Sequence, residues 1–83
     1  MSKLEIGDRV LVTRRWANAR PGMFGTVVAF DESREEHDRI GVEMDKDIYF
    51  RGDVIGHDCG GNGKLGRCQW VPEDYLARVV PCG

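Results

Sequence analysis

This 83-residue chain lacks any long apolar run; its uninterrupted apolar stretches stop at three or four residues. A membrane-spanning helix needs about 20, so no membrane partner is expected. No charged-then-apolar leader precedes the first strand-like segment, which predicts no secretory signal and makes the cytosol the expected location. A disulfide framework is missing too: three cysteines are an odd number, no Cys-x-x-Cys spacing occurs, and the pattern reads as reduced thiols. Long helices are disfavoured because 11 glycines and three prolines are scattered along the whole length. An excess of one charge is also absent. Twelve cations face 14 acids for a net charge of -2, and the pI of about 5.6 is far from the strongly basic value usual for a nucleic-acid-binding domain.

What is present fits one small domain, residues 1–83, with 41% apolar residues and seven aromatics for a thin core. The charges are unevenly placed. Residues 1–30 hold five cations against two acids, residues 31–50 hold eight acids against three cations, and residues 51–83 balance. Period-two alternation predicts strands at 8–13, with Val10 and Val12 on one face, and at 39–45, with Ile40, Val42 and Met44 on one face; β-branched and aromatic content predicts another at 24–30. Between the first two lies a basic loop that ends in Pro21-Gly22, a turn pair. Residues 31–38, with five acids and one arginine, read as a solvated hairpin loop. Ile48-Tyr49-Phe50 is expected to extend an edge strand and Val54-Ile55 to tuck beneath the sheet. Four glycines between Gly56 and Gly63 predict a long loop, and long loops in compact domains are often functional. A fourth strand is expected at 65–71 and a last one at 76–80. Pro72-Glu73-Asp74-Tyr75 between them predicts a single turn, since proline suits the first helical position and acids favour the N-terminal end.

Gly7-Asp8-x-Val10-x-Val12 leading through a loop to Gly22-x-x-Gly25-x-Val27 resembles the KOW-type version of the SH3-like barrel. Val71-Pro72-x-x-Tyr75-Leu76 resembles the SH3 tail, in which a one-turn 3₁₀ helix precedes the closing strand. The Cys59-Gly60-Gly61 and Gly66-Arg67-Cys68-Gln69-Trp70 elements are similar to small uncharacterised bacterial and phage SH3-like proteins. The resemblance implies an all-β, five-stranded barrel with one 3₁₀ turn and a long loop before the fourth strand. The aromatic-rich opening strand and the tryptophan pair of peptide-binding SH3 domains are missing, so a polyproline groove is not expected. KOW-type relatives imply partners among RNA or the proteins of transcription and translation.

No residue set dictates a reaction, and the chain is expected to be a non-enzymatic binding module without a cofactor. Arg14, Arg15, Trp16 and Arg20 place an aromatic among cations, which suits phosphates and stacked bases and equally a protein hot spot. Tyr49, His57, Lys64, Trp70 and Tyr75 complete the candidate contact residues. His57, Cys59 and Cys68, with His37 or Cys82, fall short of the closely spaced pairs of a structural zinc site, so no metal is assigned and zinc stays the lesser alternative. Gly60-Gly61-Asn62-Gly63-Lys64 lacks the Ser/Thr and the helix of a phosphate loop, and Arg51-Gly52-Asp53 reads as chance. The acidic 31–38 segment is a solvated face, a lure for a basic protein surface, or a partial imitation of nucleic-acid charge. The leading expectation is an adaptor or modulator of a larger protein or nucleoprotein assembly, of the kind a phage or mobile element encodes. A nucleic-acid contact module built on the Arg14–Arg20 loop is the alternative, and a small-ligand barrel is the third.

Overall fold

Each alternating segment forms the strand that its period predicts. The computed structural model describes residues 4–31 and 39–80; the acidic segment 32–38, with His37, and the last three residues, with Cys82, lie outside the described residues. In chain order the elements are β1 (Arg9–Val12), β2 (Phe24–Asp31), β3 (Arg39–Met44), β4 (Tyr49–Phe50), β5 (Asp53–Val54), β6 (Cys68–Pro72), the 3₁₀ turn η1 (Glu73–Tyr75) and β7 (Leu76–Arg78). No α-helix forms among the described residues, and none of their helices is long and apolar enough to cross a membrane. Five strands make one antiparallel sheet in the order β6-β3-β2-β1-β7, while β4 and β5 pair separately.

The inward face is the one that the alternation marked. Val10 and Val12 of β1, Val27 of β2, Ile40, Val42 and Met44 of β3, and Val71 of β6 are fully buried in one cluster, joined by Ile48 from the connection after β3. Fully burying a side chain of this size contributes about 1.5–3 kcal/mol, so this cluster is the main source of stability. No polar or charged side chain is buried among the described residues.

The connection between the outermost strands sets the curvature. β6 and β7 are opposite edges of the sheet, yet only the three residues of η1 join them. Flat strands would hold those edges about 19 Å apart at the usual spacing, whereas four Cα steps reach at most about 14 Å. The sheet must therefore curl until its edges approach at the η1 end. The closed barrel of the sequence reading is not completed: among the described residues β6 and β7 do not pair, because η1 turns the chain away from β6 before β7 aligns on β1 at Val10↔Arg78, Leu11↔Ala77 and Val12↔Leu76. The single turn forms as expected, but it starts one residue later: Pro72, with φ -60° and ψ 144°, is its extended N-cap at the end of β6, and Glu73 and Asp74 occupy its first turn.

Two further differences shape the outer surface. The register of β2 on β3 passes from Val27↔Val42 to Ala29↔Gly41, which leaves Val28 as an extra residue. Such a bulge puts two successive side chains on one side. Val28 and Ala29 thus join a second cluster with Cys59, Cys68 and Trp70, while Phe30 packs on the main core. The second difference is the β4–β5 hairpin. Arg51 (φ 51°) and Gly52 (φ 85°) form its two-residue turn, the positive-φ pair that suits a tight hairpin. Val54 and Ile55 are exposed rather than tucked beneath the sheet, because Val54 pairs with Tyr49 on a hairpin that stands apart from the five strands.

Candidate functional site

The candidate contact residues gather at three separate places. The first is built by the β1–β2 loop and η1. Within the loop, Trp16 and Ala19 exchange backbone hydrogen bonds of 3.0 and 2.9 Å around Ala17, whose φ is 51°. That tight turn buries Ala19 completely and lays the half-buried Trp16 on the main core. The base of the loop is fastened where the Thr13 amide donates to the Tyr75 carbonyl at 2.8 Å. Trp16 then meets Tyr75 edge-on, with ring centroids 5.4 Å apart and planes at 84°, the arrangement favoured by ring quadrupoles. The Arg14 guanidinium lies 5.8 Å from the Tyr75 centroid, within cation–π range. Arg15 points elsewhere: its Nε approaches the Ala17 carbonyl at 3.5 Å.

The second place is the outer face of β2, β3 and β6, under the 57–64 loop. His57 and Cys68 exchange backbone hydrogen bonds of 2.9 and 3.0 Å, and His57 stacks on Trp70 at 6.4 Å and 28°. The loop is internally tied, with the amides of Gly61 and Gly63 donating to the Asp58 carbonyl and Asn62 Nδ2 donating to that of Cys59 at 2.9 Å. Its far end is held by Glu43 Oε1, which accepts from the Lys64 amide at 2.6 Å. The Lys64 backbone is thus fixed while its side chain is exposed.

Cys59 and Cys68 are free and fully enclosed beneath this loop. Burial pushes the Cys59 thiol up to about 12, with Cys68 beside it adding to the rise; burial raises Cys68 as well. Both are protonated at neutral pH, whereas nucleophilic attack needs the thiolate. His57 Nδ1 already accepts from the Cys59 amide at 3.1 Å. Among the described residues no group of three or more His, Cys, Asp or Glu is placed to hold a metal ion.

The third place holds Arg20 and Tyr49. Both line a cavity of about 420 Å³ between the β1–β2 loop and the connection after β3, together with Met23, Phe24, Met44 and Ile48. Arg20 thus belongs to a different feature from the Arg14–Tyr75 contact. Sequence reasoning missed this cavity. Its signal was Phe24, an aromatic on the outward side of a strand whose inward positions, Gly25 and Val27, are buried.

Comparison with protein-family models, curated proteins and solved structures yields no match to this chain, so the functional argument rests on these three groupings.

Proposed function

We propose that this chain is a non-catalytic binding module of SH3-like barrel type that engages a larger protein assembly through Arg14, Trp16 and Tyr75. The contact of these three residues carries the reading. Arginine and large aromatics dominate binding energy at protein interfaces when they sit on a preorganised support, and here the Thr13–Tyr75 and Trp16–Ala19 hydrogen bonds supply that support. The curled five-strand order, with a 3₁₀ turn between the last two strands, supports the barrel assignment.

The nucleic-acid alternative is less well supported. Trp16 packs edge-to-face with Tyr75 and on the core, and Arg14, Arg15 and Arg20 each have a different local setting, over Tyr75, at the Ala17 carbonyl and in the cavity lining, which is a poor match to one continuous phosphate track. The testing experiment is affinity purification from native cell extract with the parent chain and the exposed-site variant Arg14→Ala. A retained protein whose affinity falls about 30-fold in the variant, the loss of about 2 kcal/mol typical of a hot spot, is the expected result. Retention of RNA or DNA instead, weakening steeply with salt, would transfer the assignment to the alternative. Retention that ignores Arg14→Ala would remove this surface from consideration.

A further inference from the structure

The cavity between the β1–β2 loop and the β3–β4 connection has the charge and lining of a ligand site. Its volume of about 420 Å³ falls in the range of roughly 300–1,000 Å³ usual for small-molecule sites. The accessible apolar surface comes from half-buried Met23 and the exposed rings of Phe24 and Tyr49, with Met44 and Ile48 fully buried behind them. Met23 is held in place by the Arg20 amide, which donates to its sulfur at 3.2 Å.

Four charged residues line the same space, and they are not equivalent. Asp45 is clamped by Arg9 through two bonds of 2.7 Å, and Asp47 accepts from Arg67 Nε at 3.1 Å; neither arginine lines the cavity. Both carboxylates are thus neutralised from behind. Arg20 and Lys46 have no ion pair among the described residues. With the two arginines counted, the cavity carries two uncompensated positive charges beside this apolar surface. A cation finds no free carboxylate there, and a neutral apolar molecule leaves both cations unused. An anion with an apolar body satisfies both parts, since charge-assisted hydrogen bonds are the stronger ones.

We infer that this cavity binds a small organic anion, an aromatic or short aliphatic carboxylate or phosphate monoester, with its body against Met23, Phe24 and Tyr49 and its head at Arg20 and Lys46. The site is separate from the Arg14–Trp16–Tyr75 surface and does not depend on the adaptor reading.

The test follows the Met23 and Met44 methyl resonances of the ¹³C-methionine-labelled chain during titration with phenyl phosphate and phenylacetate, with neutral 2-phenylethanol and with inorganic phosphate. Both aromatic anions should shift the two methyls saturably, and 2-phenylethanol and inorganic phosphate should each bind at least about tenfold more weakly, one charge-assisted contact set being worth about 1.4 kcal/mol or more. Arg20→Gln combined with Lys46→Gln should remove the advantage of the anions over 2-phenylethanol. Both residues are exposed, so the double variant should keep the parent's spectral dispersion. Absence of methyl shifts at about 10 mM anion, weaker than any useful affinity, would overturn the assignment. So would equal binding of 2-phenylethanol or inorganic phosphate, or an anion preference that survives in the double variant.

Discussion

Gly41→Ala tests whether the 57–64 loop is seated on the outer face of the sheet. A Cβ at residue 41 would lie 3.0 Å from Trp70 Cζ3, 3.2 Å from Ala29 Cβ and 3.2 Å from Cys59 Cβ. Carbon atoms prefer about 3.5–4.0 Å, so all three contacts are short. The Trp70 ring has some freedom to swing, but the Ala29 and Cys59 Cβ atoms move only with their backbones. Ala29 is paired with residue 41 across the ladder, which leaves the loop carrying Cys59 as the part that must lift. Adding one methyl to a packed site costs about 1–3 kcal/mol. The stiffer unfolded chain returns about 0.4–1 kcal/mol, for a net loss of about 1–2 kcal/mol. In a domain of this size that lowers the midpoint by about 4–16 °C.

A melting curve alone would not locate the damage, so thiol reactivity is measured beside it in a Cys82→Ser background, where only Cys59 and Cys68 are titrated. In the parent the thiols are enclosed, and the rise of Cys59 from 9.0 to about 12 leaves about a thousandfold less thiolate at a given pH. Gly41→Ala should expose them at temperatures well below its midpoint, because the lid opens before the sheet melts. Ile40→Ala is the contrast. Its side chain belongs to the main core and its loss costs about 2–5 kcal/mol, but its thiols should react only in step with global unfolding. A Gly41→Ala protein as stable as the parent, with thiols equally slow, would refute the seating of the loop.

Three further outcomes are expected. Asp45→Asn removes the two-bond clamp on Arg9; the pair is about half exposed, so the loss should be about 0.2–1 kcal/mol. The hydrogen bond from Arg9 holds the Asp45 carboxyl below its ordinary 3.8, so its contribution is complete above that value and disappears as pH falls through the lowered folded value. The midpoint difference between parent and variant should thus persist from neutrality to about pH 4 and close below it. A gap that widens in acid would contradict this. In a double-mutant cycle, Trp16→Ala and Tyr75→Ala should show a coupling of about 0.5–1.5 kcal/mol in urea unfolding, and additive losses would deny the edge-on contact. In Gly56→Ala the new Cβ would meet backbone, 2.5 Å from the Gly66 carbonyl carbon and 2.9 Å from the Arg67 nitrogen. Ile48 donates to that same Gly66 carbonyl at 2.8 Å, so neither side yields; the loss should exceed about 3 kcal/mol, and a parent-like midpoint would count against the packing.

The strands were legible where one face is buried and the other wet. Ile40, Val42 and Met44 reveal their face because Gly41 and Glu43 separate them, Val10 and Val12 because Arg9 and Thr13 flank them on the opposite face, and Pro72 marked the turn before β7 by its fixed φ. Val27-Val28-Ala29-Phe30 was not legible in this way. An apolar run has no period, and the bulge at Val28 changes which residues face inward without leaving a mark in composition. The basic loop was legible as a contact segment but not as a divided one. The turn at Ala17, a residue with no turn preference, sends Arg14 to Tyr75 and Arg20 to the cavity. Nor could spacing reveal that Asp45 and Asp47 are already engaged, since Arg9 and Arg67 reach them from 36 and 20 residues away.

The glycine-rich segment is a loop, as its composition predicted, but composition did not reveal how the loop is held. Gly41 of β3, with Gly56 and Gly63 of the loop, are positions where a Cβ would collide with Trp70 and Cys59, with the Gly66 backbone, or with the Cys68 sulfur. Close approach of two backbone segments requires residues without side chains, and here it seals two thiols and one face of Trp70 against β2, β3 and β6. The Arg14–Trp16–Tyr75 contact and the cavity both lie away from this covered face, one where η1 meets the β1–β2 loop and the other where that loop faces the β3–β4 connection. Gly41→Ala therefore disturbs the sealed face without touching either site.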